Sequence, residues 1–295
     1  MEKIIVKKNK KIVFKFDGYN DMAQYVDAKH KRDGSSVTSD AEWCGGIKTV
    51  KQASQTMVSG YDDVLPRITS IRDKVRERVG SIDTAVFRAE NNVYGTRLDM
   101  GSYLADSPTC FLDFYEDPDK RATRFVRILV DTTFSAMVSP EHIKTRGAAV
   151  VALCDTLNLC GYTTEVWAVS TNGGSRWGSD VKGNELAIML PVQRVGEPWD
   201  VRSAMYPLAH PSFLRRTVFG VMESMTESER ETFGVGRGYG SVIECTKGSL
   251  ADMHCGGADI ICTTREGDIR DIARDPVAWV IKQCKNLGVI GEDEQ

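Results

Sequence analysis

Asp131, Thr133 and Ser135 place a carboxylate and two hydroxyls on alternate residues directly after an apolar run, Phe125 to Val130. One carboxylate with hydroxyl oxygens suits Mg²⁺ or Mn²⁺, which keep waters and leave a position for a partner's carboxylate. The same residues also cap turns, as Asp, Ser and Thr do where a chain leaves a strand. A second stretch, GVGRGYG at 234–240, has glycine at every other position. That pattern lets backbone come close to a phosphate or to another chain, with Arg237 supplying charge and Tyr239 a stacking face. No Gly-Lys-Ser/Thr follows it, so it is not a Walker loop, and its spacing is not that of a dinucleotide fingerprint. A flexible loop is the plain alternative. Arg176 and Trp177, in the glycine-rich segment 171–178, can stack a base or anchor a partner, or fold back onto the domain.

Lys29, Lys31 and Arg32 form a basic cluster with His30, and Arg72, Lys74, Arg76 and Arg78 share one face of an amphipathic segment. Together with the lysines at 7–11 they form the set that a polyanion would use; a solvated surface explains them equally well. Cys245, His254, Cys255 and Cys262 lack the paired knuckle spacing of a structural zinc site. The four histidines are scattered, with neither a G-x-S-x-G elbow nor a His-x-x-x-His pair. These absences favour a non-enzymatic protein; an enzyme built on this chain would be metal-assisted, with Asp131 as ligand.

The elements that must position Asp131 are legible around it. Phe125 to Val130 reads as a buried parallel strand. Ser139-Pro140-Glu141 opens a helix with an N-cap, a first-turn proline and an acid. Ile143, Gly147, Val150, Cys154 and Leu157 form its core face, and Gly161 falls where a left-handed cap belongs. Tyr162 to Val169 is the second strand, with Glu165 its one poor fit. Such a unit makes a right-handed parallel crossover, and its functional end lies outside the carboxyl ends of the strands.

On these residues the chain resembles the von Willebrand factor A (VWA) family. The resemblance covers roughly residues 120–285 and rests on Asp131-x-Thr133-x-Ser135, on Arg146-Gly147-Ala148-Ala149 and on the strand from Gly161 to Trp167. It implies a Rossmann-like, mostly parallel sheet flanked by helices, with a metal-ion-dependent adhesion site at Asp131, Thr133 and Ser135 that holds Mg²⁺ and engages a protein partner. It also implies a threonine from a later loop, with Thr171 and Thr217 as candidates, and an acid after the late strand Ala258–Cys262. There the chain reads Thr263-Thr264-Arg265-Glu266-Gly267-Asp268, with the acid displaced and an arginine inserted. With its N-terminal third, the chain also resembles proteins carried by tailed phages.

That third, residues 1–118, reads as a smaller α+β region, with 119–295 as the VWA-like domain. Lys3 to Phe16 has the form of an edge hairpin, 17–40 of a polar loop, and Thr49 of an N-cap. Asp63 to Val79 is an amphipathic helix with Ile68, Ile71, Val75 and Val79 on its apolar face. Glu185 to Val195 is a buried strand whose Pro191 marks an end or an edge. Ser203 to Met222, with its two prolines, reads as broken helices, and Asp275-Pro276 opens a last one.

At 295 residues with a net charge of -3, the chain has no global pull toward nucleic acid or membrane. No apolar stretch reads as a signal peptide or a span, so the eight cysteines are expected to be reduced thiols in the cytoplasm. Three functions follow as expectations. The first is an adaptor that binds a protein partner at the sheet's end, with Mg²⁺ as a bridge. The second is single-stranded nucleic-acid binding in phage transcription or replication. The third is a virion or scaffold component.

Overall fold

A computed structural model describes residues 1–6, 11–29, 40–79, 87–95, 97–116, 125–173, 184–233, 235, 239 and 241–290. In chain order, β1 (Glu2–Val6) and β2 (Lys11–Lys15) precede helices α1 (Tyr19–Lys29), α2 (Val50–Ser59) and α3 (Leu65–Val79). Strands β3 (Phe87–Asn92), β4 (Arg97–Leu98) and β5 (Phe111–Glu116), with helix α4 (Met100–Leu104), make a separate three-stranded antiparallel sheet. Then come β6 (Phe125–Asp131), α5 (Pro140–Leu159), β7 (Thr163–Gly173) and β8 (Glu185–Gln193). Helix α6 (Val201–Ala209), a π-helical segment (Phe213–Val218), α7 (Phe219–Glu223) and α8 (Glu227–Thr232) follow. The chain closes with β9 (Ser241–Val242), α9 (Leu250–Cys255), β10 (Ile260–Cys262), α10 (Glu266–Arg274) and α11 (Pro276–Asn286).

The fold is mixed α/β, with a mostly parallel central sheet flanked by helices. Its strand order is β1-β2-β8-β7-β6-β10, and three of the five pairings along that path are parallel. The strands obey the period of two that burial on both faces demands. Ile12, Phe14, Ile128, Val130, Val166, Ala168, Leu186 and Ile188 face the large helical layer. Val13, Leu129, Trp167, Val169, Ala187 and Met189 face the other side, where Leu250 and Ala251 of α9 cover them.

The expected crossover is present. Strands β6 and β7 pair in parallel over seven residues, with α5 between them in sequence. The Ser139 side chain caps α5, and its positions from Arg146 to Leu157 are buried. Gly161 has φ +75°, the left-handed conformation expected of it. Glu165 fits its strand because Arg127 stands opposite it in register, with Nε 2.6 Å from the carboxylate.

Elsewhere the structure departs from the sequence expectation. The N-terminal hairpin forms at the sheet's edge as expected, but the sheet is the central one: β2 pairs in parallel with β8 and is buried on both faces. The sheet and the main core therefore run across the expected junction at residues 118–119. Within the polar segment expected as a loop, Tyr19–Lys29 forms α1, and residues 30–39 lie outside the described residues. Burial of Met22 and Val26 contributes roughly 1.5–3 kcal/mol each. That outweighs the few tenths by which each Asn or Asp disfavours helix. Strand β7 runs on through Asn172 and Gly173, four residues past the expected end. Strand β8 is antiparallel to β7, and Pro191 sits at a register shift beyond the last pairing with β2, where no ladder donor is needed.

Candidate functional site

Asp131 ends β6, and its carboxylate is fully enclosed. Oδ1 accepts from the Thr133 N–H at 2.8 Å, and Oδ2 from the Cys245 N–H at 3.3 Å. The Thr264 hydroxyl, just after β10, lies 3.3 Å from Oδ2 and 3.1 Å from the Thr133 carbonyl, and its proton can serve either. Thr133 is turned inward as well. Its hydroxyl accepts from the Thr171 N–H at 2.8 Å and lies 3.2 Å from the Ser170 hydroxyl. Burial raises the Asp131 carboxyl above its ordinary value; the Thr133 and Cys245 donors and the Arg146 guanidinium act against this without cancelling it.

These residues do not fit the Mg²⁺ that the VWA resemblance implies. N–H and O–H donors already point at the carboxylate oxygens, whereas a hard cation needs bare oxygens and room for waters. Arg146, itself fully buried, adds a permanent positive charge nearby. Ser135 is exposed and accepts from the Met137 N–H at 3.4 Å, capping a turn. Of the candidate threonines, Thr171 spends its hydroxyl on the Ile243 carbonyl, and Thr217 lies with Tyr206 in the helical layer. The inserted Arg265 is turned to Glu244. Among the described residues, no three of His, Cys, Asp and Glu come together as a metal site.

What the carboxyl end of the sheet does offer is a pocket of about 420 Å³ beside the Asp131 loop. Thr133 and Phe134 from that loop, Asn172 from β7 and Val242 from β9 line it. Trp43, Phe219 and Tyr239 build one wall. Phe219 and Tyr239 stack at 3.5 Å and 4°, and Trp43 leans on Phe219 at 6.4 Å. Trp43 is fixed from both ends. Its indole N–H donates to the Ala136 carbonyl at 3.1 Å, and the Arg215 guanidinium lies 4.2 Å over its ring. Arg215 in turn donates to the Trp43 and Val138 carbonyls, so a buried cation ties the N-terminal segment to the loop after β6. The Tyr239 hydroxyl donates to Glu223 at 2.5 Å.

A family model, described as a domain of unknown function (DUF7192), matches residues 3–289. The chain belongs to the DUF7192 family. Neither a curated protein nor a solved structure matches it.

Of the residues singled out in this DUF7192 sequence, Thr133 and Tyr239 meet at one pocket. Arg176, Trp177, Arg237, Lys31 and Arg32 lie outside the described residues. Lys29 ends α1 with its ammonium over the Tyr25 ring at 5.1 Å. The basic face of α3 is partly neutralised, since Arg72 meets Asp73 and Asp155, and Arg78 approaches Asp275 at 3.9 Å. Among the described residues, no helix is long and apolar enough to cross a membrane.

Sequence reasoning missed one chemistry-bearing cluster in the DUF7192 fold. His210 Nδ1 accepts from the Ser212 N–H at 3.0 Å and lies 2.7 Å from its hydroxyl. Tyr206 joins Ser212 to Thr217 through contacts of 3.0 Å. A Ser–His contact is the start of a nucleophile and base pair, but this one is sealed. Ser212, Tyr206 and Thr217 are fully buried, and the imidazole is held between the Tyr61 and Tyr206 rings. Burial depresses the His210 value to about 4. The His-Pro-Ser spacing was visible in the sequence, but nothing in it marked these residues as a network.

Proposed function

We propose that the chain is a non-enzymatic binding protein of VWA-like type that engages a macromolecular partner at the carboxyl end of its sheet, without a metal bridge. The observation that carries this reading is the aromatic-walled pocket, which lies where open α/β sheets bind their ligands. The parallel crossover from β6 through α5 to β7, with the acid at the end of β6, supports the VWA-like assignment. The enclosed Asp131 then holds the loop after β6 in shape and does not itself reach for a partner. All eight cysteines are free thiols, which suits a reducing cytoplasm, that of the host for a phage-encoded chain.

The test is cross-linking and affinity capture from cells that produce the protein, in Mg²⁺ and in chelator, with Tyr239→Ala as the pocket variant. Partner capture that is equal in both buffers and lost in Tyr239→Ala is expected. Capture that needs Mg²⁺ and fails with Asp131→Asn would restore the metal-bridged mode. Salt-sensitive binding of a single-stranded oligonucleotide would replace the protein partner with a nucleic acid.

A further inference from the structure

Asn172 at the sheet's end has a side chain with little to hold it. It lies on β7, is 3% exposed, and lines the pocket. A carboxamide offers two donors and an oxygen with two lone pairs. Among the described residues, Asn172 makes one side-chain contact, from Nδ2 to the Met222 sulfur at 3.8 Å. A thioether is a weak acceptor, and a buried amide left this way is costly. Most lining residues around it are apolar or aromatic. In a small-ligand site, one such amide fixes the orientation of a ligand that has its own donor and acceptor.

The mouth of the pocket adds a sign of charge. Asp40 is exposed there and is the one charged residue lining the pocket among those described. Its Oδ1 accepts from the Trp43 N–H at 3.0 Å, and Oδ2 has no partner among the described residues. A lysine or arginine would be drawn to this carboxylate. The pocket is within the range that holds a small ligand, ~300–1,000 Å³. That is space for one aromatic ring and a peptide group, against a wall of aromatic rings.

Resting on the binding reading above, we propose that this pocket takes an aromatic side chain of a partner protein, whose peptide group pairs with Asn172 and whose neighbouring basic residue meets Asp40. The partner segment is thus an aromatic residue next to Lys or Arg. The aromatic ring supplies the anchor, Asn172 the register and Asp40 the preference for charge.

The experiment is ligand-observed NMR and calorimetry on the full chain with three probes: N-acetyl-Trp-Arg-amide, N-acetyl-Trp-Glu-amide and adenosine. The Arg peptide is expected to bind at least about tenfold more tightly than the Glu peptide, with adenosine silent. Asn172→Leu should weaken the Arg peptide about tenfold or more while leaving the melting midpoint unchanged or raised. A carboxamide needed only for structure would lower that midpoint instead. Asp40→Asn, which keeps an acceptor for the Trp43 N–H, should abolish the preference between the two peptides.

Adenosine binding that depends on Asn172, without peptide binding, would overturn the proposal in favour of a nucleobase. If no probe binds while Tyr239→Ala still abolishes partner capture, this ligand assignment fails and the binding reading stands. If capture is indifferent to Tyr239→Ala, both fail.

Discussion

Asp131 sits where a metal ligand was expected and is instead held by Thr133, Cys245 and Thr264. Its removal should be felt as lost structure. Asp131→Ala leaves buried donors without an acceptor and the Arg146 charge without its neighbour, a loss of ~3–5 kcal/mol in urea unfolding. Chelator should leave the wild-type melting midpoint where millimolar Mg²⁺ has it; a drop on chelation would show that a metal is bound. His210 gives a pH prediction with a definite sign. Its folded value of about 4 lies below the ordinary 6.5, so the fold disfavours the charged form. Stability is then fully present above the ordinary value and falls as pH drops toward about 4, by roughly 3 kcal/mol. A His210→Asn variant should flatten that slope in unfolding curves between pH 7 and pH 4. At this scale the sequence disclosed Asp131 and Thr133 but not their partners. The Cys245 N–H is backbone, and backbone has no letter. Thr264 carries no mark that separates it from its neighbour Thr263, and Asn172 was hidden by the glycines that follow it.

Helix α5 is where element geometry is most tightly fixed. At Gly147 a Cβ would fall 2.3 Å from the Ala209 Cα and 2.4 Å from the Leu208 carbonyl oxygen, so α5 and α6 touch backbone to backbone. Gly147→Ala, a change that favours helix in isolation, should destabilise the protein by ~1–3 kcal/mol because backbone must move. A thermal melt measures it, and an unchanged midpoint would mean that the helices do not cross this closely. The caps of α2, α5 and α11 were readable at Thr49, Ser139 and Asp275 because one side chain settles each. Helix α1 was not readable, since its polar composition is overruled by packing of Tyr25 against Phe14 and Phe16. The orientation of β8 was equally hidden, because a buried strand looks the same in either direction.

Across the whole molecule, residues on both sides of 118 share one sheet. A chain of residues 119–295 alone would leave the β2-facing edge of β8 bare and the helical layer without α1, α2 and α3. It should lack a cooperative melt and be cut rapidly by protease, whereas the full chain melts in one transition. A sharp transition from 119–295 would establish a separate domain. The α/β class was legible from the single crossover around Asp131, since strand, helix and strand of those lengths have one common solution. The pairing of β2 with β8 was not legible, because it joins segments about 170 residues apart.

That pairing also sets a timetable. Strand β2 leaves the ribosome about 170 residues ahead of its parallel partner β8, which is complete only at Gln193. At ~5–20 residues per second, the hairpin waits roughly 10–35 s with an apolar strand and no sheet to join. For that interval Ile12, Val13 and Phe14 are open to whatever else is nearby. Synthesis of this protein therefore carries a window in which an unpaired apolar strand is open to aggregation or to chaperone capture.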